Sequence, residues 1–170
     1  GIYALWLRYQ IDPVTRDGKV RADMVPVAAD VSGLVTDVRV ADNQTVKKGD
    51  VLFIIDRPRY QLALEQASAT LASQQAALAQ AVRENRRNQA MRDVLAPEAI
   101  EQGRARVEEL RAGIGQAQAA RKLAKFNLER TLVRAPVAGT VSNMSLQPGV
   151  YLNAGKPALA LVYDRSMRVE

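Results

Sequence analysis

Histidine and cysteine, two of the side chains on which enzymes most rely, do not occur in this 170-residue sequence. Their absence removes the commonest metal ligand, the thiolate nucleophile and the only side chain whose unperturbed pKa lies near neutrality. Ser-His-Asp, Cys-His and His-based zinc chemistry are therefore excluded, and so is a disulfide framework. Acid–base or nucleophilic work would fall to carboxylates, Lys or Tyr alone, and the sequence is read as that of a protein with no catalytic, metal or cofactor site. What stands out chemically is cationic: the adjacent Arg86 and Arg87, and Lys47, Lys48 and Lys156 among turn residues. Turn lysines are ordinarily just solvated.

The elements that would position these groups emerge from charge, repeats and periodicity. The 24 Lys+Arg outweigh the 18 Asp+Glu by a net +6, but they are spread along the chain. The one Trp, five Tyr and two Phe are not interleaved with the central arginines. A nucleic-acid surface needs a clustered basic stripe with stacking aromatics, so no nucleic-acid partner is expected. At the N-terminus, Tyr3, Trp6 and Tyr9 with Arg8 and Arg16 have the character of the aromatic and basic edge of a transmembrane helix. The apolar run there falls short of the about 20 residues that span a bilayer. Residues 1–18 are expected to be a membrane-proximal segment, with most of an anchoring helix lying upstream.

An internal repeat organises the rest. Residues 31–55 align without a gap on residues 137–161: Val31 with Val137, Gly33 with Gly139, Val35 with Val141 and Gly49 with Gly155. Asn43 falls on Gly149, the two residue types that best tolerate a left-handed turn. Short apolar alternation punctuated by such turns reads as strands. One copy alone is too small to bury a core, whereas two facing copies can close a β-sandwich. Gly33, Gly49, Gly139, Gly149 and Gly155 are the expected structural turn glycines.

Two halves with this G-x-V…G pattern resemble the biotinyl/lipoyl domain, whose modified Lys sits on a hairpin between the halves. Here residues 57–133 occupy that place, so no carrier lysine is presented. From Arg59 through Ala96 there is neither Gly nor Pro, and strong helix formers dominate. Leu64, Leu71 and Leu78 recur at heptad spacing with Ala67, Gln74 and Ala81 on a second track. Ile100, Val107, Ile114 and Leu128 continue the device with Leu110, Ala117 and Ala124, while Arg121 and Gly103 interrupt it. Ala96-Pro97-Glu98 marks a helix boundary, since Pro is accepted at a first helical position but not inside a helix. Two such helices joined by a short turn near 95–98 must pack antiparallel. About 36 residues per arm give a length of roughly 54 Å.

The resulting class is α+β: a lipoyl-like β-sandwich split by a long antiparallel α-helical coiled-coil hairpin. Residues 19–56 plus 134–163 form the sandwich, 57–133 the hairpin, and 164–170 the first strand of a β-barrel domain that follows. This plan resembles the HlyD-like membrane fusion proteins, the periplasmic adaptor subunits of bacterial efflux and secretion systems. The resemblance rests on Val31-Ser32-Gly33-Leu34-Val35, Val46-Lys47-Lys48-Gly49-Asp50-Val51, Ile55-Asp56-Arg57-Pro58, Thr131-Leu132-Val133-Arg134-Ala135-Pro136 and Gly139-Thr140-Val141. Arg86-Arg87-Asn88 and Ala119-Ala120-Arg121 are most similar to the p-hydroxybenzoic (aromatic carboxylic) acid efflux adaptors. The resemblance implies a periplasmic subunit anchored in the inner membrane, self-associating as a trimer or hexamer. It would link an inner-membrane transporter to a TolC-like outer-membrane channel for export of small molecules. It further implies a partner contact at the hairpin tip, mapped here onto Arg86, Arg87, Ala90, Leu95 and Ala96. Ala90 and Ala96 depart from the Leu and Ser of the family's usual tip. A protein-secretion adaptor and a coiled-coil scaffold without transport are the alternatives.

Overall fold

A computed structural model describes residues 22–142 and 145–164. The expected membrane-proximal segment 1–18 lies outside them, as do residues 165–170. The described elements are β1 (Ala22–Ala28), β2 (Gly33–Val38), β3 (Thr45–Val46), β4 (Val51–Ile55), α1 (Arg57–Ala90), α2 (Pro97–Arg130), β5 (Leu132–Arg134), β6 (Gly139–Ser142), β7 (Tyr151–Leu152) and β8 (Pro157–Asp164). The strands make two four-stranded sheets, ordered β1-β8-β6-β3 and β5-β4-β2-β7. Every pairing is antiparallel.

The two sequence copies do not each build a sheet. They exchange strands. β2 of the first copy pairs with β7 of the second through Gly33–Leu152 and Leu34–Tyr151. The equivalent residues pair β6 with β3 through Val46–Gly139 and Thr45–Thr140. The flanking hydrogen bonds repeat the relation. Val35 N–H donates to Val150 O and Gly149 N–H to Val35 O, while Val141 N–H donates to Gln44 O and Asn43 N–H to Val141 O, all within 2.7–2.9 Å. Asn43 and Gly149 both sit at positive φ, 69° and 98°. The copies are thus related by an approximate two-fold axis that carries one sheet onto the other.

That axis extends the repeat upstream of the aligned segments. Ile54–Leu132 and Phe53–Val133 join β4 to β5, and the matching Ala160–Pro26 and Leu159–Val27 join β8 to β1. The Gly49 amide donates to Ala135 O (2.8 Å) as the Gly155 amide donates to Ala29 O (2.9 Å). β8 continues to Asp164, opposite Ala22. Residue 164 therefore belongs to the sandwich rather than to a further domain. Between the sheets, Val35, Leu52, Phe53, Ile55, Val141 and Leu161 are fully buried. Each removes apolar surface worth about 25 cal/mol per Å² from water.

Both helices have 34 residues, about 51 Å at 1.5 Å per residue, slightly shorter than the sequence suggested. The reason is the turn. α1 already ends at Ala90 and α2 starts at Pro97, so the connection is residues 91–96 rather than 95–98. Pro97 fixes the start of α2 by its ring geometry, whereas nothing in Met91-Arg92-Asp93-Val94 forbids helix, and the end of α1 is decided by the need to turn back. Both heptad tracks face the partner helix, with Ala81, Val107, Leu110 and Ala117 buried and Leu64, Leu71, Leu78, Ile114 and Leu128 half-buried. The tracks also carry polar residues inward. Arg121 Nε donates to Ser68 Oγ (3.0 Å), and a Cβ built on Gly113 would lie 3.1 Å from Gln74 Oε1.

A Cβ built on Gly139 would lie 2.8 Å from the backbone carbonyl of Val162, so the β6–β8 ladder leaves no room for a side chain. Replacing Gly139 with Ala is expected to cost about 1–3 kcal/mol in urea unfolding. Gly115, mid-helix with nothing within 4 Å of its built Cβ, gives the opposite sign: its replacement by Ala should add about 0.5–1 kcal/mol.

Candidate functional site

β4 and β5 are hydrogen-bonded neighbours, so the chain leaves the sandwich at Ile55 and returns at Leu132 on adjacent strands. The hairpin root is clamped there. Ile55 N–H donates to Thr131 O (2.9 Å) and Asp56 N–H to Leu34 O (3.0 Å). Arg57 Nη1 donates to Thr131 Oγ1 (3.1 Å) and to Leu128 O (3.4 Å), while the Thr131 hydroxyl also donates to Leu128 O. Thr131 is fully buried, the one buried polar residue among those described, and this network satisfies it. Tyr60, on the first turn of α1, donates its phenol to Ser32 O. Burial first, and the nearby Tyr151 second, raise the pKa of that phenol. Arg130 Nη1 reaches Asp30 Oδ2 at 3.4 Å and stacks 4.5 Å from the Phe126 ring centroid. Arg57, Tyr60 and Thr131 belong to recognisable sequence stretches, but their joint role at the root needed the strand adjacency to become visible.

At the far end the turn closes on itself. Met91 N–H is shared between Arg87 O and Asn88 O, both 3.1 Å. Met91 O accepts from Val94 N–H (2.9 Å) and Leu95 N–H (3.1 Å), and Ala96 O accepts from Ala99 N–H (3.0 Å). Of the residues expected at a partner contact, Arg86, Arg87, Ala90 and Ala96 are exposed, and Leu95 is half-buried. Arg87 lies in the last turn of α1 and Arg86 just before it, Ala90 is the last residue of the helix, and Ala96 precedes α2 in extended geometry. The apex itself is formed by Met91 and Val94, 51% and 75% exposed. Sequence reasoning passed over these two because it placed the turn later. The signal available was the arrival of Met91 and Val94 just where Asn85, Asn88 and Arg92 had ended the apolar tracks.

The other sequence-derived positions are structural. Gly49, Gly149 and Gly155 adopt φ of 92°, 98° and 85°. A Cβ on Gly33 would lie 2.8 Å from Ile55 Cγ2. Lys47, Lys48 and Lys156 are exposed on turns, where Asp50 Oδ2 accepts from the Lys47 amide (2.9 Å). Among the described residues there is no cluster of three or more Asp or Glu able to hold a metal ion. Nor is any described helix long and apolar enough to cross a membrane.

A rod planted on a strand-exchanged sandwich is a plan shared with known proteins. Residues 58–129 match the family model described as pHBA AAEA subunit, alpha-helical hairpin domain. The chain is 27% identical to a MacA-MexA chimeric protein containing the Pseudomonas aeruginosa MexA alpha-hairpin domain, over 85% of this chain and 51% of that one, with a TM-score of 0.55. It is 25% identical to MacA from Actinobacillus actinomycetemcomitans, over 86% and 52%, with a TM-score of 0.56. The chain is thus similar to membrane fusion proteins in the sequence of its hairpin and in its fold. Its fold is also that of the membrane fusion protein Spr0693 from Streptococcus pneumoniae R6, at 15% identity over 84% of this chain and 65% of that one, TM-score 0.63. It spans about half the length of the first two of these proteins.

Two measurements test the root. Thr131→Val removes both the acceptor for Arg57 and the donor to Leu128, and should cost about 1–3 kcal/mol in urea unfolding. Removing the exposed Arg130–Asp30 pair should cost about 0–1 kcal/mol. The raised pKa of Tyr60 means that the folded chain holds this proton where the unfolded chain releases it. Its contribution is therefore complete below the ordinary value of 10.0 and declines as pH rises above it. In Tyr60→Phe that alkaline loss should be smaller than in the wild type, read as the difference between unfolding free energies at about pH 9 and about pH 11.

Proposed function

We propose that the chain is the rod-bearing part of a periplasmic adaptor in a bacterial efflux system. In this reading the sandwich is a mounting block, and the hairpin is a spacer of about 51 Å that carries a contact surface away from it. The observation that carries the reading is the adjacency of Ile54 and Leu132 across two strands, which plants both helix ends on the same edge of the block. The partners would be an inner-membrane transporter at the block and a TolC-like outer-membrane channel at the tip. Copies of the chain would associate as a trimer or hexamer, in a protein anchored in the inner membrane.

The match of residues 58–129 to the pHBA hairpin family supports small-molecule export, with aromatic carboxylic acids as the class of cargo. Protein secretion is the weaker reading, because no feature of the hairpin favours it. The tip contact would combine the apolar apex of Met91 and Val94 with the exposed guanidinium groups of Arg86, Arg87 and Arg92. Apolar contact supplies affinity, and the flanking charge supplies orientation and partner choice. A partner crevice with an apolar floor and an acidic rim fits this surface.

The test is export of an aromatic carboxylic acid by cells producing the full-length protein. Arg86→Glu with Arg87→Glu, and separately Met91→Asp with Val94→Asp, should each reduce export about tenfold or more. Because all four side chains are solvent-facing, urea unfolding of the purified chain should stay within about 0.5 kcal/mol of wild type. Full export by both variants would remove the tip from the mechanism.

A further inference from the structure

The hairpin seam is not uniform along its length. From the root outward, its polar side chains find partners or room: Arg121 bonds Ser68, and Gln74 lies against the space left by Gly113. A compact apolar cluster follows, of Ala81, Val107 and Leu110 with Ala77, Leu78 and Val82 packed on it. Beyond that cluster the next inward residues of α1 are Asn85 and Asn88, and they face Gly103 of α2. A Cβ on Gly103 would lie 2.8 Å from Asn88 Nδ2 and 3.5 Å from Asn85 Oδ1, so the asparagines occupy the volume a side chain would fill. Asn85 Oδ1 is buried and accepts no hydrogen bond.

This layer combines three sources of weakness at one level. It has no apolar side chain on either helix. It places a glycine, the residue with most backbone freedom, in the second turn of α2. It also holds a carbonyl oxygen away from water without a donor, which separating the helices would relieve. The polar layer nearer the root has its hydrogen bond and lacks this third feature. On the far side, Leu95, Ala99 and Ile100 are half-buried and the turn is closed by backbone bonds, so the end piece remains a unit.

We propose that the Asn85–Asn88–Gly103 layer is a hinge built into the hairpin, across which residues 86–102 open or reorient as a unit while the root-proximal coil stays closed. This is a property of the chain itself and stands whether or not the tip meets a channel. Such compliance lets a rigid rod present its apex over a range of angles without unfolding its base.

Native-state hydrogen exchange of the 170-residue chain, resolved by peptide, tests the hinge. The amides of residues 86–102 should exchange together, about tenfold or more faster than those of 64–82, with a step at the asparagine layer. Asn85→Leu removes the orphaned carbonyl and adds apolar contact, and should raise protection of 86–102 about tenfold without altering 64–82. Gln74→Leu, a similar change one apolar cluster closer to the root, should leave the exchange of 86–102 unchanged. If Asn85→Leu does not fold, Asn85→Ala removes the same oxygen and serves in its place. Protection that declines smoothly from the turn toward the root would overturn the proposal, since that is end fraying. So would an equal response to Asn85→Leu and Gln74→Leu, since any apolar gain would then suffice.

Discussion

The exchange of strands between two copies of one short sequence is the constraint on which the rest of this molecule depends. β3 completes the sheet of β6, and β7 completes that of β2. Neither copy therefore has a closed sheet until the other arrives, and neither has an opposite face for Phe53 or Leu161 to bury against. Pairing of this kind is non-local, so its loop-closure entropy must be met before its contacts form. Here the loop between the copies is itself two helices, ordered along their own length. The packed helical hairpin holds Ile55 and Leu132 near each other, and the sandwich in turn holds the helix ends together. Each half of the structure lowers the cost of forming the other.

That reciprocity is sealed by polar contacts at the root. Where a helix leaves a sheet, backbone groups belong to neither ladder and must find other partners. Thr131 supplies three of these links, through its hydroxyl, its carbonyl and its contact with Arg57. Tyr60 supplies another by reaching Ser32. Charged pairs at the surface, such as Asp30 with Arg130, add direction but little stability. The angle at which the rod leaves the sandwich is thus set by the partly buried hydrogen bonds at its root.

The fold was legible in the sequence because the repeat was ungapped and the heptad tracks were regular. The register of Gly33, Val35 and Gly49 against Gly139, Val141 and Gly155 carried enough information to expect a shared sandwich. What it did not carry was the six-residue upstream extension, Val27 with Val133 and Ala29 with Ala135, because the intervening residues differ. The strand exchange itself was also hidden, since alternation shows which face is buried but not which strand lies beside which. At the tip, the guanidinium pair came from the family resemblance, whereas the exposure of Met91 and Val94 followed from where α1 stops. Helix ends decided by tertiary return rather than by a cap or a proline leave only a faint local trace.

The seam shows what such a rod needs. Small residues such as Ala67, Ala81, Ala117 and Ala124 bury little area per layer of the seam. A wider, all-leucine seam would be more stable, but it would also be indifferent to register, since leucine layers pack equally well after a slip of one heptad. With Gln74 opposite Gly113, Arg121 opposite Ser68 and Asn88 opposite Gly103, a slip in register would part these polar side chains from their present space or partner. The polar residues that thin the seam are the same ones that give it a unique alignment. Since an antiparallel hairpin fixes its apex only through its register, the position of Met91 and Val94 at the summit depends on these side chains as much as on the turn that bears them.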